Sequence, residues 1–136
     1  MISRYAITAI FLAATFFACE AAPTGVTISN IVVNPPLGGR DVGAIYLTLD
    51  NSGDPTVLIS VSSPDADVIE LHQSTRVDGI ARMDRLDTIP LPTGTTKLEQ
   101  GGLHLMVFGI TEAEVADGLP LTLTLEDGTE LNVVAN

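Results

Sequence analysis

The stretch Leu103-His104-Leu105-Met106-Val107 alternates aliphatic residues with two side chains of a different kind. An alternation of period two is typical of a β-strand that has one face in a hydrophobic core. Successive side chains of a strand point to opposite faces, so the aliphatic residues are predicted to be buried. His104 and Met106 are then predicted to lie side by side on the other face.

The same alternation recurs on both sides of this stretch, most regularly in residues 42–50 and 121–125. Turn sequences rich in Gly, Pro, Asn and Asp separate the apolar runs. Residues 89–94 contain two prolines and are predicted to be a loop that crosses between sheets. The chain is therefore predicted to be an all-β sandwich or barrel of about eight or nine short strands. These strands are residues 27–33, 42–50, 57–61, 68–72, 80–83, 95–98, 103–107, 121–125 and 130–134, with a single helical turn at 111–116.

Both histidines, and every methionine except Met1, fall in one window that runs from His72 through Met83 to His104 and Met106. Ten residues separate the first two, and twenty residues separate Met83 from His104. Imidazole nitrogen and thioether sulfur suit Cu(I) better than Zn(II) or a hard cation. The window therefore predicts a Cu(I) site with these four residues as ligands.

A structural role is the alternative for each of these residues taken singly. Methionine most often fills a core, and a lone histidine is most often a surface or hydrogen-bonded residue. Their confinement to one window favours the metal site. Glu70 precedes His72 by two residues and would share its strand face. It could orient the imidazole of His72, but we expect a solvated carboxylate.

The N-terminus predicts export. Arg4 precedes an apolar run, residues 5–18, that is too short for a permanent membrane span, so residues 1–18 are predicted to be a signal peptide. Phe16-Phe17-Ala18-Cys19 is similar to a bacterial lipobox, which would make Cys19 the first mature residue and its lipid anchor. The alternative is a secreted protein cleaved nearby, for instance after Ala22. Residues 19–26 would form a tether and residues 27–136 one copper-binding β-domain.

Composition excludes several classes of function. Cys19 is the only cysteine, which excludes a blue-copper centre with a Cys ligand. A net charge of −11 argues against nucleic acid as a partner. The preferred interpretation of so acidic a surface is solubility. The alternative is that it attracts cations or docks to a basic partner. No nucleophile elbow accompanies Ser74 and His72, and four protein ligands would leave a metal no open position for substrate, so no enzyme is predicted.

The order of the four candidate ligands resembles the signature of the PCu(A)C periplasmic copper chaperones, a family of small cupredoxin-like β-proteins. The resemblance extends from about residue 27 to residue 134. It departs from the family at Gln73, where many members carry an additional Met, and by at most one residue in the length of the twenty-residue spacer. Other matching positions are Ala44-Ile45-Tyr46-Leu47-Thr48-Leu49 followed by Asn51, Ile89-Pro90, and Gly101-Gly102.

This resemblance implies a cupredoxin-like fold and a location in the periplasm or cell envelope. It implies a Cu(I) metallochaperone for assembly of the CuA site of cytochrome c oxidase. The partner would be the copper subunit of the oxidase or a Sco-type assembly protein, and the only membrane contact would be the lipid at Cys19. One alternative is an envelope copper-sequestering or resistance protein without a specific acceptor. Another is a lipoprotein adhesion module in which the His and Met residues are structural.

Overall fold

A computed structural model describes residues 25–136, which form ten β-strands and one short helix. The predicted signal peptide, Cys19 and most of the predicted tether lie outside the described residues. The elements in chain order are β1 (Val26–Asn34), β2 (Val42–Asn51), β3 (Thr56–Ser62), β4 (Val68–Val77), β5 (Ile80–Leu86), β6 (Ile89–Leu91), β7 (Gly94–Leu98), β8 (Leu103–Phe108), α1 (Glu112–Asp117), β9 (Leu119–Leu125) and β10 (Glu130–Ala135).

The strands form two antiparallel sheets, which confirms the predicted all-β sandwich. The first sheet has the order β1-β2-β8-β4-β5, and β7 also pairs with β2. The second sheet has the order β10-β9-β3-β6. Strand β8 pairs with the first half of β2 and β7 with its second half. The strand that carries His104 therefore lies in the middle of the first sheet, between β2 and β4.

The core lies between the two sheets and follows the alternation read from the sequence. Every second residue is buried along β2 and along β9. In β8, Leu105 and Val107 are completely buried, as predicted, while Leu103 at the start of the strand is only half-buried. The largest fully buried side chains are Ile45, Leu47, Leu49, Leu58, Ile89, Leu91, Leu105, Ile110, Leu119, Leu121, Leu123 and Leu125.

The prediction of a loop at residues 89–94 is wrong in part. Ile89–Leu91 is strand β6, which pairs with β3 at the edge of the second sheet. A proline is tolerated there because an edge strand has one side on which no backbone donor is needed. The chain then crosses to the first sheet and enters it as β7. The predicted crossing between sheets is therefore correct.

Strands β4 and β5 are longer than predicted and form one hairpin. Their pairing runs from Leu71 opposite Leu86 to Val77 opposite Ile80. The turn is Asp78-Gly79, as predicted, and both residues have positive φ, 52° and 77°. Positive φ at both central residues is the requirement of a type I′ turn, which fits the twist of a two-residue hairpin.

The predicted helical turn is α1. Its N-cap is Thr111, whose hydroxyl accepts from the backbone N–H of Glu114, while the Glu114 carboxylate accepts from the backbone N–H of Thr111. This reciprocal capping box satisfies N–H groups at the start of the helix. Between residues 25 and 136 no helix is long and apolar enough to span a membrane.

Asn51 is a buried polar residue that joins the two sheets at the end of β2. Its Nδ2 donates to the carbonyl oxygen of Leu91 at 3.0 Å and to that of Asp54 at 2.9 Å. Its Oδ1 accepts from the backbone N–H of Gly53 at 3.0 Å. Because burial of an amide is costly without partners, this set of three bonds explains why an asparagine is tolerated in the core.

Candidate metal centre

His72 and His104 are directly opposite each other on the neighbouring strands β4 and β8. Their ring centroids are 5.8 Å apart and the rings are inclined by 51°. Both side chains leave the face of the first sheet that points away from the core, the face predicted from the alternation in β8. We call this face, around the two imidazoles, the His face.

His104 is almost completely buried, with 3% of its surface exposed. Tyr46 lies beside it on β2, with a centroid separation of 6.3 Å. The Nδ1–H of His104 donates to the carbonyl oxygen of Gly102 at 2.9 Å. This bond assigns the tautomer and leaves the lone pair on Nε2.

His72 presents the opposite nitrogen. Its Nε2–H donates to Oε2 of Glu70 at 2.9 Å, and its Nδ1 is buried without any hydrogen-bond partner. A buried polar atom without a partner normally costs free energy, so such atoms are rare in native proteins. A histidine that binds a metal usually donates its other ring N–H to a carboxylate or a backbone carbonyl. His72 and His104 each have one such bond, and each keeps the second ring nitrogen free for a metal.

Glu70 is not the solvated carboxylate that the sequence favoured. Its Oε2 accepts from His72, and its Oε1 forms an ion pair with Arg85 at 3.2 Å. Its side chain is 20% exposed. Glu70 lies on the His face because it precedes His72 by two residues on β4, and Arg85, directly opposite His72 on β5, is close enough to hold its carboxylate there. Glu70 therefore orients the imidazole of His72.

Met106 lies on the same face as His104, two residues further along β8, and is half-buried opposite Glu70. Two residues of a strand span roughly 6.7 Å, so Met106 is an immediate neighbour of His104. Met106 also lines a shallow apolar groove, together with residues of the β1–β2 connection and the first residues of β2. The structure thus brings His72, His104 and Met106 together.

Met83 is more distant. Met83 is on β5, directly opposite Ser74 of β4. It is therefore the diagonal neighbour of His72, and the two backbones are separated by roughly 7–8 Å. The side chain is 53% exposed, so core filling does not explain this methionine. Met83 and Met106 occupy opposite corners of the His face. With β4 between them, their Cα atoms would be roughly 16 Å apart on a flat sheet.

The candidate donors of the His face are two imidazole nitrogens and two thioether sulfurs. Among residues 25–136, no three His, Cys, Asp or Glu side chains gather in an arrangement that could hold a metal ion. The candidate set consequently depends on thioether sulfur for half of its donors. Two imidazoles and two thioethers form a donor set that suits Cu(I).

Several residues around the centre were not identified from the sequence. Arg85 gave no signal, because its strand was predicted to end at Met83. The Gly102 carbonyl is a backbone group that no side-chain pattern reveals. Tyr46 could have been found, since its alternation with Ile45 already placed it on the outer face.

Comparison with protein families gives a match to the LpqE-like family model, whose description reads "Putative lipoprotein LpqE-like", over residues 26–136. The chain belongs to the LpqE-like family. No curated protein matches the chain. The family match covers all ten strands of the sandwich and all four candidate ligands.

Solved structures of PCuAC domains are similar to the chain. The chain is similar to the copper-bound PCuAC domain from PmoF2, with 26% identity, a TM-score of 0.67, and coverage of 85% of this chain and 94% of that domain. The apo form of the PmoF2 domain matches at 25% identity and a TM-score of 0.66, covering 82% and 87%. The apo PCuAC domain from PmoF1, at 20% identity, a TM-score of 0.66 and coverage of 82% and 91%, supports the fold alone. The resemblance to PCu(A)C proteins that the sequence indicated is confirmed.

Proposed function

We propose that this protein is a copper-binding chaperone domain that carries Cu(I) on the His face, with His72, Met83, His104 and Met106 as ligands. The observation that carries the proposal is that Nδ1 of His72 is buried without a hydrogen-bond partner, in a ring whose centroid is 5.8 Å from that of His104. The copper-bound state of the similar PmoF2 domain supports it. The metal is cargo: these ligands would hold the ion and then release it.

The two imidazoles and Met106 would provide the nearer donors, and Met83 would complete the set from the hairpin. Residues 75–77 of β4 and 80–85 of β5 are exposed on both faces, so no second layer restrains this part of the hairpin. A strand pair without a packed layer bends and twists more readily than the centre of a sandwich. Such bending would bring Met83 towards the imidazoles, and reversal of the bend would favour release.

Direct titration tests copper binding. The apo protein competes with a chromogenic Cu(I) chelator under reducing, anaerobic conditions, and a parallel titration uses Zn(II) with a zinc indicator. We expect equimolar Cu(I) to be taken from the chelator and Zn(II) to be bound far more weakly. Equal affinity for both ions, or no competition for Cu(I), would disprove the proposal.

The acceptor is proposed to be the machinery that builds the CuA site of cytochrome c oxidase, either the copper subunit or a Sco-type protein. Sequestration in the envelope without a specific acceptor is the alternative. Deletion of the gene in cells grown at low copper separates these functions. Loss of oxidase activity that added copper restores would support delivery. Normal oxidase activity together with copper sensitivity would support sequestration.

The proposed position in the cell rests on the N-terminal pattern. We propose that residues 1–18 are removed, that Cys19 carries a lipid, and that residues 19–26 tether the copper-binding domain, residues 27–136, to the periplasmic side of a membrane. Mass spectrometry of the mature protein tests this order. A mature chain that starts beyond Cys19 would exclude the anchor.

A further inference from the structure

The outer face of the first sheet, the side that points away from the core, divides into a polar and an apolar half. An antiparallel sheet with one face on a core usually has polar residues on the other face. The half beside the end of β2 follows this rule, with Thr27, Ser29, Thr48, Asp50, Thr95 and Lys97. The half beside the start of β2 instead has Val32, Val42, Ala44, Val68, Met106 and Phe108. We call this second group the apolar half.

The apolar half is accessible from outside. Val32 and Val68 are 51% and 46% exposed, and within residues 25–136 no further sheet lies over them. Leu37, in the connection between β1 and β2, is 74% exposed and lines the shallow groove beside Met106. Monomeric proteins rarely expose large contiguous apolar patches, and patches of this kind often mark interaction sites. The apolar half is therefore a candidate binding surface.

The groove connects this surface to the candidate metal centre. Val42, Ala44, Met106 and Phe108 line it, and Ala44 pairs directly with Met106. Of the four candidate copper ligands, Met106 alone lines the groove. A partner seated in the groove would therefore contact a candidate ligand and lie at the edge of the His face.

Three connections of the chain meet beside the apolar half. The backbone N–H of Gly109 donates to the carbonyl oxygen of Asp41 at 2.8 Å, which joins the β1–β2 connection to the end of β8. The backbone N–H of Asp67 donates to the carbonyl oxygen of Phe108 at 2.9 Å, which joins the β3–β4 connection to the same place. The third connection starts at Gly109 and contains α1. Together these connections form one end of the sandwich.

This end is strongly acidic. Its connections, residues 35–41, 63–67 and 109–118, contain six acidic residues and one basic residue. Between residues 25 and 136, none of these seven takes part in an ion pair. The basic residue lines the groove. The seven are Asp41, Asp65, Asp67, Glu112, Glu114, Asp117 and Arg40. We call the three connections the acidic end.

Solubility explains the acidic end but not the apolar half. The opposite end of the sandwich also has acidic residues, among them Asp54, Glu126 and Asp127, yet the outer face beside it is polar. A protein interface typically has an apolar centre and a polar or charged rim. Exposed apolar side chains next to unpaired carboxylates have this arrangement. The combination indicates a partner with apolar side chains and positive charge.

We propose that the apolar half is the docking surface for the copper acceptor, and that the acceptor fills the groove with apolar side chains flanked by Lys or Arg that face the acidic end. This inference rests on the proposed function. Attraction between opposite charges would increase the rate of encounter and orient the acceptor on the surface. Contact with the groove would place the acceptor's own copper-binding residues beside Met106.

Two other occupants fit this surface less well. A second copy of the chain would bring the same net charge of −11 against it, and a high net charge of one sign keeps proteins monomeric. An anionic membrane would be repelled by the acidic end beside the apolar half. A partner with positive charge around its apolar side chains meets neither obstacle.

The test uses three short peptides with blocked termini. The first has a Leu-Phe-Leu centre with two lysines on each side, the second has glutamates in place of the lysines, and the third keeps the lysines around a Ser-Ser-Ser centre. Each is added to the ¹⁵N-labelled apo protein, and amide chemical shifts report the site and the Kd. We expect the first peptide to bind at least about tenfold more tightly than either of the others at low ionic strength.

The chemical shifts also locate the contact. We expect them in residues 35–44, 65–68 and 105–109, which contain the groove and part of the acidic end. Shifts of similar size around Asp54 and Glu126, at the opposite end, would show only general attraction between opposite charges and would overturn the proposal. Equal affinity for the three peptides would overturn it as well.

Two substitutions test the two parts of the surface separately. Leu37→Ser removes the most exposed apolar side chain, and Asp67→Asn removes one charge while keeping the shape of the side chain. Each should weaken binding of the first peptide at least about threefold and leave the Tm and the competition for Cu(I) unchanged. The matched controls are Val134→Ser, at a 60% exposed position of the second sheet, and Asp54→Asn at the opposite end. An equal loss of binding in the controls would contradict the assignment.

The titration contains no copper, so docking and copper binding can fail independently. Normal competition for Cu(I) without shifts in the groove would overturn docking alone. Shifts confined to the groove in a protein that takes up no Cu(I) would overturn the proposed function, and with it the copper acceptor as the partner. Light scattering covers the remaining occupant: a dimer that Leu37→Ser dissociates would replace the acceptor by a second copy of the chain.

Discussion

Oε2 of Glu70 accepts a hydrogen bond from Nε2 of His72 at 2.9 Å, two residues away on the same strand face. This bond leaves Nδ1 as the atom of His72 that could bind a metal, and it fixes the orientation of the ring. Arg85 holds the other carboxylate oxygen at 3.2 Å. The contacts among His72, Glu70 and Arg85, on two neighbouring strands, therefore orient the ring of His72 and leave its Nδ1 without a hydrogen bond.

The first prediction concerns Glu70. Loss of a group that orients a metal-binding histidine typically lowers metal affinity about 10–100-fold, and we expect this loss for Glu70→Ala. Glu70→Gln should lose less, because its amide oxygen still accepts from His72. Chelator competition measures both variants. Glu130→Ala, on β10 of the other sheet, is the control and should bind as the parent does. Parental affinity in Glu70→Ala would show that His72 needs no such support.

The second prediction concerns Asn51 and the stability of the fold. Asn51→Ala removes three hydrogen bonds and takes the side-chain donor from the buried carbonyl oxygen of Leu91, so the free energy of unfolding should fall by about 2–4 kcal/mol. Urea unfolding followed by circular dichroism measures the loss. Asn132→Ala breaks one exposed side-chain bond, to Thr122, and should cost less than about 0.5 kcal/mol. Equal effects of the two substitutions would refute the structural role of Asn51.

The third prediction is that the domain folds without copper. Twelve large aliphatic side chains are completely buried between the sheets, and burial of apolar surface contributes about 25 cal/mol per Å². A small zinc-finger domain lacks such a core and unfolds when its metal is removed. Circular dichroism of the chelator-treated protein should show a β spectrum and cooperative thermal unfolding. A spectrum of a disordered chain would contradict this prediction.

Much of the fold could be predicted because the buried strands alternate strictly. Ile45, Leu47 and Leu49 alternate with other residues in β2, and each second residue of β9 is aliphatic, so one face of each strand is identifiable without knowledge of its neighbours. Strand β5 was predicted to end too early, because its second half is polar and its strand structure depends on pairing with β4. Strand β6 was missed because a proline is compatible with a strand only at an edge, and the position of a strand in a sheet is a long-range property.

The candidate ligands could be identified from residue type and spacing, whereas their arrangement could not. The alternation in β8 predicted that His104 and Met106 share a face. The pairing of His72 with His104 depends on the register between β4 and β8, which are separated by more than twenty residues. The local sequence placed Glu70 on the face of His72 but favoured a solvated carboxylate, because its second partner, Arg85, comes from a third strand.

Methionine-to-leucine substitution tests the ligand assignment most directly. Leucine has a similar volume and is equally apolar, so a methionine that only packs should tolerate the change at a cost below about 1.5 kcal/mol. Met83 is half exposed, and its replacement should cost even less. A methionine that binds Cu(I) loses its only donor atom in the same substitution.

The decisive measurement is Cu(I) competition against a chromogenic chelator for Met83→Leu, Met106→Leu and Leu105→Met. We predict that both leucine variants melt within a few degrees of the parent and bind Cu(I) at least about tenfold more weakly, a difference of roughly 1.4 kcal/mol. Leu105→Met adds a sulfur at a completely buried position on the core side and should not strengthen binding. Leucine variants that compete as well as the parent would contradict the assignment of the four ligands and, with it, the proposed copper function.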